Sequence, residues 1–110
     1  MNSEIEVVGI NPEEAKLLLD DERGFLIDVR EDEEWQAGHI PGATHAPLSR
    51  FNEATFPEAG GKTAIFHCRS GKRTTDYFGL FLTLGYENVV HMEEGILGWA
   101  ERGYDVESGS

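Results

Sequence analysis

Cys68 is the only cysteine in the chain, and it sits where an apolar run gives way to a basic, glycine-containing loop: Thr63-Ala-Ile-Phe-His-Cys68-Arg-Ser-Gly-Lys-Arg73-Thr-Thr. The chemistry this placement offers is nucleophilic attack by thiolate, the reactive form of the side chain. A loop curling from a strand into a helix turns backbone N–H groups toward the sulfur, and such cups favour anions. Arg69, Lys72 and Arg73 add three cations within five residues of it. Opposite charge and amide donors both favour the ionised thiol. The competing reading is a small buried hydrophobe, because free cysteine is among the most buried residue types. Position argues against that reading. Ligands of open α/β sheets bind at the carboxyl ends of strands, which is where Cys68 falls.

Holding such a loop requires a strand before it and a helix after it. Thr63 to His67 reads as the strand, and Arg73 to Leu84 as the helix, with Phe78, Phe81 and Leu82 as core positions and Gly85 as its end. Val89 to Met92 reads as a last strand and Ile96 to Arg102 as a closing helix. Upstream, Glu4 to Val8 alternates like a short first strand. Asn11-Pro12-Glu13-Glu14 is a helix start in which Asn11 caps, Pro12 takes the first helical position and Glu14 is the capping-box acid. Phe25 to Val29 is a buried strand, and Asp32 to Gly38 a short helix with Asp32 as cap and Gly38 as a left-handed stop. Pro47 to Gly61 reads as loop with a short helix near Leu48 to Asn52, and Glu107 to Ser110 is expected to fray. Strands alternating with helices imply an α/β fold: a mainly parallel central sheet with helices on both faces.

Composition sets the outer limits. A length of 110 residues suits one domain. The formal net charge is −12 with nine basic residues, which argues against nucleic-acid binding. Three of those nine cations crowd the Cys68 loop, so a local positive cup on an acidic body is expected to select small anions. No apolar run is long enough to cross a bilayer and no signal peptide is evident, so neither a membrane nor an export route is expected. One cysteine makes no internal disulfide, and the expected location is cytoplasmic. His39, His45, His67 and His91 lack metal-ligand spacing, and neither a metal nor another cofactor is expected. His67 faces the opposite side of its strand from Cys68 and reads as packed rather than as a general base. Asp28 and Arg30, at a strand end, read as holders of nearby loops, and Trp35 and Trp99 as core or pocket-wall aromatics.

Four stretches resemble the single-domain rhodanese, or thiosulfate sulfurtransferase, family. They are Leu26-Ile27-Asp28-Val29-Arg30 with Glu34-Trp35 and Gly38-His39-Ile40-Pro41-Gly42-Ala43; the loop Cys68 to Arg73; Gly95-Ile96 with Trp99; and the tail Gly103-Tyr104-Asp105-Val106. Their joint order spans Phe25 to about Val106. One departure stands out: the family's closing signature usually has two adjacent glycines, and here Glu94 precedes Gly95. The resemblance implies a single rhodanese-like domain over residues 1–110, with its core at about 5–106.

It also implies a reaction. Cys68 would be the catalytic nucleophile, taking a sulfane sulfur from a small anionic donor such as thiosulfate and holding it as a persulfide. A thiophilic acceptor would then remove it: cyanide in vitro, a cellular thiol or a protein acceptor in vivo. Arg69, Ser70, Gly71, Lys72 and Arg73 would bind the substrate anion, with Gly71 permitting the tight curl. Without a second cysteine the persulfide needs an external acceptor. Two rivals stand beside this reading. A cysteine phosphatase needs five residues between cysteine and arginine, whereas Arg73 leaves four and Thr74 holds the phosphatase position. A noncatalytic binding or regulatory module on the same fold commonly loses the cysteine, which this chain retains.

Overall fold

The structure is a computed structural model that describes residues 5–109. Five strands form one sheet: β1 Gly9–Ile10, β2 Gly24–Asp28, β3 Thr44–His45, β4 Thr63–His67 and β5 Val89–Met92. Their spatial order is β1-β5-β4-β2-β3 and every pairing is parallel. Parallel pairing needs crossovers, and these are supplied by α1 Pro12–Asp20, α2 Asp32–Ala37, a 3₁₀ stretch Leu48–Glu53, α3 Lys72–Asp76 and α4 Phe78–Leu82, while α5 Gly95–Glu101 follows the last strand. No helix among the described residues is long and apolar enough to cross a membrane.

The strand period of two divides the core between two faces. Along β4, Ala64 and Phe66 join Ile27, Phe51, Phe78, Phe81 and Val89 on the face covered by α4 and the 3₁₀ stretch. Ile65 points the other way, into a cluster with Ala15, Leu26, Ile40, Met92, Ile96 and Trp99 under α1 and α5. Cys68 continues the Ala64–Phe66 parity and closes the first cluster at its carboxyl end. The nucleophile is therefore anchored by the same packing that builds the core, with the Phe66 and Phe81 rings stacked at 4.2 Å below it. A helix on either face is thus what buries the central strands.

Helix α1 starts as its residues dictate. The Asn11 Oδ1 accepts the Glu14 amide at 2.8 Å and the Glu14 Oε1 accepts the Asn11 amide at 2.9 Å, satisfying two otherwise orphan donors. Caps of this kind contribute about 1 kcal/mol.

Five expectations need correction. The first strand is Gly9–Ile10, not Glu4 to Val8; Ile5, Val7 and Val8 stay exposed, because the register with β5 begins at Gly9 opposite His91 and of the earlier residues only the Val8 carbonyl reaches it, taking the His91 amide at 3.0 Å. Glu4 lies outside the described residues. The helix expected over Arg73 to Leu84 is two pieces broken at Tyr77 (φ −106°, ψ 16°), and Leu82 is exposed rather than core. The break re-aims α4 so that Phe78 and Phe81 alone reach the sheet, while Gly79, a weak helix former, lies under Ile5. Glu31, not Asp32, stands at the start of α2. Gly38 is extended (φ 173°) rather than left-handed; it lies beside Val106, whose methyl would be 3.1 Å from an added Cβ. Finally, the tail is tied down: His39 and Glu107 exchange backbone hydrogen bonds at 2.7 and 2.8 Å, and the Gly109 amide donates to the Gln36 carbonyl. Ser110 lies outside the described residues.

Candidate active site

The chain leaves β4 at His67 and re-enters helix at Lys72. The curl between them turns on Gly71, whose φ of +101° is open to glycine and strained for other residues. That turn brings the Gly71 amide to 3.2 Å from the Cys68 Sγ and the Thr74 hydroxyl to 3.7 Å. The sulfur lies on the floor of the loop, in a residue only 1 % exposed. Burial pushes the Cys68 thiol up, but the amide and hydroxyl of Thr74 and the amides of Gly71 and Ser70 outweigh it and hold the thiol below its ordinary value. The ionised sulfur is favoured by hydrogen-bond donors at its own surface.

The three nearby cations stand in three different settings. Arg73 is bound bidentately to Glu34 on α2, both N–O distances being 2.8 Å. Lys72 is 80 % exposed and pairs one turn along with Asp76 at 3.0 Å. Arg69 is exposed and makes no side-chain hydrogen bond among the described residues; it lines a largely apolar cleft with Arg30, Glu34, Ala37, Leu97 and Val106. Ser70 and Gly71 edge a second cleft, shared with Lys72, His91, Glu93 and Glu94.

The Arg73–Glu34 pair staples the loop to α2. The Arg73 hydrogen bond, ahead of the amide of Glu31, holds the Glu34 carboxyl down at about 2 against an ordinary 4.5. A depressed carboxyl contributes stability that is present above its unfolded value and lost as pH falls through the folded one. Thermal melts are therefore expected to show Tm falling between pH 4.5 and about 2, and Glu34→Gln should flatten that slope. An identical slope in the variant would assign the acid loss to other carboxylates.

Two further sets of contacts brace the loop and its surroundings. The first amides of α5 donate into it, Ile96 N–H to the Cys68 carbonyl at 3.0 Å and Leu97 N–H to the Arg69 carbonyl at 3.1 Å. So close an approach depends on Gly95 (φ +56°): a Cβ there would stand 2.5 Å from the Cys68 oxygen and nearer still to that of Arg69. At the carboxyl end of β2, the buried Asp28 carboxylate grips Arg30, whose Nη2 reaches the Gly38 carbonyl at 2.7 Å. Asp28 and Arg30 thus hold the segment after α2, as their place at a strand end implies. His67 is fully buried, its Nδ1 3.2 Å from the Cys68 carbonyl, and burial holds it below its ordinary value, so it is neutral near pH 7. Trp35 stacks on His39 at 3.8 Å and on His45 at 4.6 Å, while Trp99 is core and donates to the Asp105 carbonyl.

Sequence reasoning passed over three residues that the fold brings to the site. Glu34 meets Arg73 across 39 positions of chain. Thr74, first considered only for what a phosphatase would place there, sits against the sulfur. His91, weighed only as a metal ligand, bonds the Thr74 hydroxyl at 2.8 Å. A polar residue inside the apolar run Val89 to Met92 was the available signal for the last of these.

A family model for the rhodanese-like domain matches residues 11–102. The chain belongs to the rhodanese-like domain family. Its similarity to known members runs over most of its length. It is 35 % identical over 96 residues to the uncharacterized protein slr1261 of Synechocystis, covering 87 % of this chain and 54 % of that protein. It is 35 % identical over 98 residues to the probable adenylyltransferase/sulfurtransferase MoeZ of Mycobacterium tuberculosis, covering 84 % of this chain but 24 % of that one. The chain thus spans about half, or less, of the length of these curated relatives. Among solved structures, a rhodanese-related protein of Thermoplasma volcanium superposes with a TM-score of 0.74 at 31 % identity, over 91 % of this chain and 97 % of the other. The α/β architecture expected from the alternating pattern is that of the family.

Proposed function

We propose that this rhodanese-like domain is a sulfurtransferase that carries a sulfane sulfur on Cys68, taken from thiosulfate or a similar anionic donor. The observation that carries the reading is the donor-lined sulfur: an unpaired thiol held below its ordinary value inside a curled loop at the carboxyl end of β4. The Cys68 thiolate attacks the outer sulfur of thiosulfate. A new S–S bond forms, the donor's S–S bond breaks, and its electron pair leaves with sulfite. The resulting persulfide anion occupies the place where the loop amides converge. An acceptor thiolate or cyanide then attacks the outer sulfur, and the bond pair returns to Cys68 as thiolate.

In this scheme Gly71 and Ser70 contribute amides, and Arg69, Lys72 and Arg73 meet the sulfonate oxygens and the departing sulfite. Arg69 has the freest charged head of the three. Arg73 must share its fork with Glu34, so its first contribution is loop geometry. The four residues between Cys68 and Arg73 make a tighter cup than a phosphoryl group needs, which favours sulfur over phosphate transfer.

The test is intact-protein mass spectrometry after exposure to thiosulfate. The expected result is gain of one sulfur atom, discharged by cyanide with formation of thiocyanate. Protein that stays at its original mass with every sulfur donor tried would leave a noncatalytic binding module as the reading.

A further inference from the structure

The Thr74 side chain is fully buried and has one proton to give among three neighbours. These are the Gly71 carbonyl at 3.2 Å, the Cys68 Sγ at 3.7 Å and the His91 Nδ1 at 2.8 Å. The Gly71 carbonyl is already served: it accepts the Thr75 amide at 3.1 Å and the Thr75 hydroxyl at 2.7 Å, which occupy both lone pairs. The proton therefore goes either to the sulfur or to the imidazole. A neutral imidazole carries hydrogen on one nitrogen only, so its tautomer decides between them. With hydrogen on Nδ1, the ring donates to Thr74, and the hydroxyl proton is free to point at the sulfur. With Nδ1 bare, the hydroxyl turns to the ring and the sulfur loses a donor. A bond to an anionic sulfur is charge-assisted, which favours the first arrangement once Cys68 ionises.

We propose that His91 is a positioning residue for Cys68: its Nδ1–H donates to the Thr74 hydroxyl oxygen and thereby turns the Thr74 proton onto the sulfur. This rests on the reading of Cys68 as the sulfur carrier and concerns control of that same site. His91 is well placed for it. The ring stands toward the carboxyl end of β5, beside the strand that leads into Cys68, with the Phe78 ring in T-shaped contact at 6.1 Å. It borders the cleft where Lys72, Asp76, Glu93 and Glu94 are the charged groups facing it. Burial holds its imidazole below the ordinary value against the pull of Glu93, so near neutral pH the tautomer, not the charge, carries the message.

Two measurements test the proposal. In the wild-type protein, imidazole nitrogen chemical shifts report the tautomer directly. Hydrogen on the His91 Nδ1 is expected while Cys68 is ionised, and a bare Nδ1 would overturn the proposal. The lone cysteine also gives an unshared thiolate absorbance in the ultraviolet. Its pH midpoint is expected to rise by about half to one unit in Thr74→Val, the worth of one hydrogen bond to the sulfur. His91→Asn, whose amide can donate without titrating, should keep the midpoint near wild type. In a Thr74→Val background His91→Leu should add nothing further. A midpoint that Thr74→Val leaves unmoved, or one that falls in His91→Leu with Thr74 in place, as removal of a competing acceptor would make it, defeats the proposal. If the leucine variant fails to fold, the wild-type tautomer decides. Sulfur uptake is scored separately. A shifted midpoint without uptake in wild type defeats the sulfurtransferase reading alone, and uptake with an unmoved midpoint defeats this one alone.

Discussion

Replacing Gly95 by alanine is expected to lower the melting temperature by roughly 10–20 °C. Two costs combine. At φ +56° an L side chain adopts the left-handed region at about 1 kcal/mol or more. The added Cβ also overlaps the carbonyl oxygens of Cys68 and Arg69, and overpacking against fixed backbone costs about 1–3 kcal/mol. Relief would require α5 to retreat, breaking the bonds from Ile96 and Leu97 that support the loop. A calorimetric melt within a degree or two of wild type would show that the loop and α5 yield easily, against the packing described. The neighbouring position behaves differently. Glu94 is also left-handed at φ +69°, but its side chain passes over Gly98 and reaches Arg102 at 3.0 Å. This is why the usual glycine pair can lose its first member and not its second.

The Cys68→Ser variant is expected to fold and to lose sulfur uptake by at least about a thousandfold, the scale on which deleting a covalent nucleophile acts. A serine hydroxyl stays protonated where the thiol ionises, and oxygen cannot form the persulfide link. The loop itself should survive, because the serine oxygen can take the Gly71 amide that the sulfur accepts in wild type. The stability change is expected to stay near 1 kcal/mol, since the exchange preserves shape in a closed site. Thiosulfate consumption by the purified variant, followed as sulfite release, checks the prediction. Turnover at the wild-type rate would move the chemistry off Cys68 altogether, for the chain has no other cysteine.

Much of the fold was legible along the chain where local signals agree. Thr63 to His67 and Val89 to Met92 carry apolar runs of strand length, and both strands have those bounds. Asn11, Pro12 and Glu14 name a helix start through hydrogen bonds made within three residues. The misread elements depend on partners elsewhere. Helical periodicity runs unbroken through Tyr77, yet the chain breaks there so that Phe78 and Phe81 meet the sheet while Leu82 does not. The alternation before Gly9 is genuine but finds no strand to pair with beyond Gly9 and Ile10.

The same division runs through the site. By itself the sequence determined that one sulfur would sit in a glycine-permitted curl after an apolar strand, because the residues forming that curl are neighbours in the chain. Only the tertiary structure decided what surrounds it. The parallel order β5-β4-β2 brings His91 to the Thr74 hydroxyl, Glu34 beneath Arg73, and the amides of α5 behind the loop. Those partners lie 17 to 39 residues apart, and no local preference of backbone or side chain reports a meeting at that range.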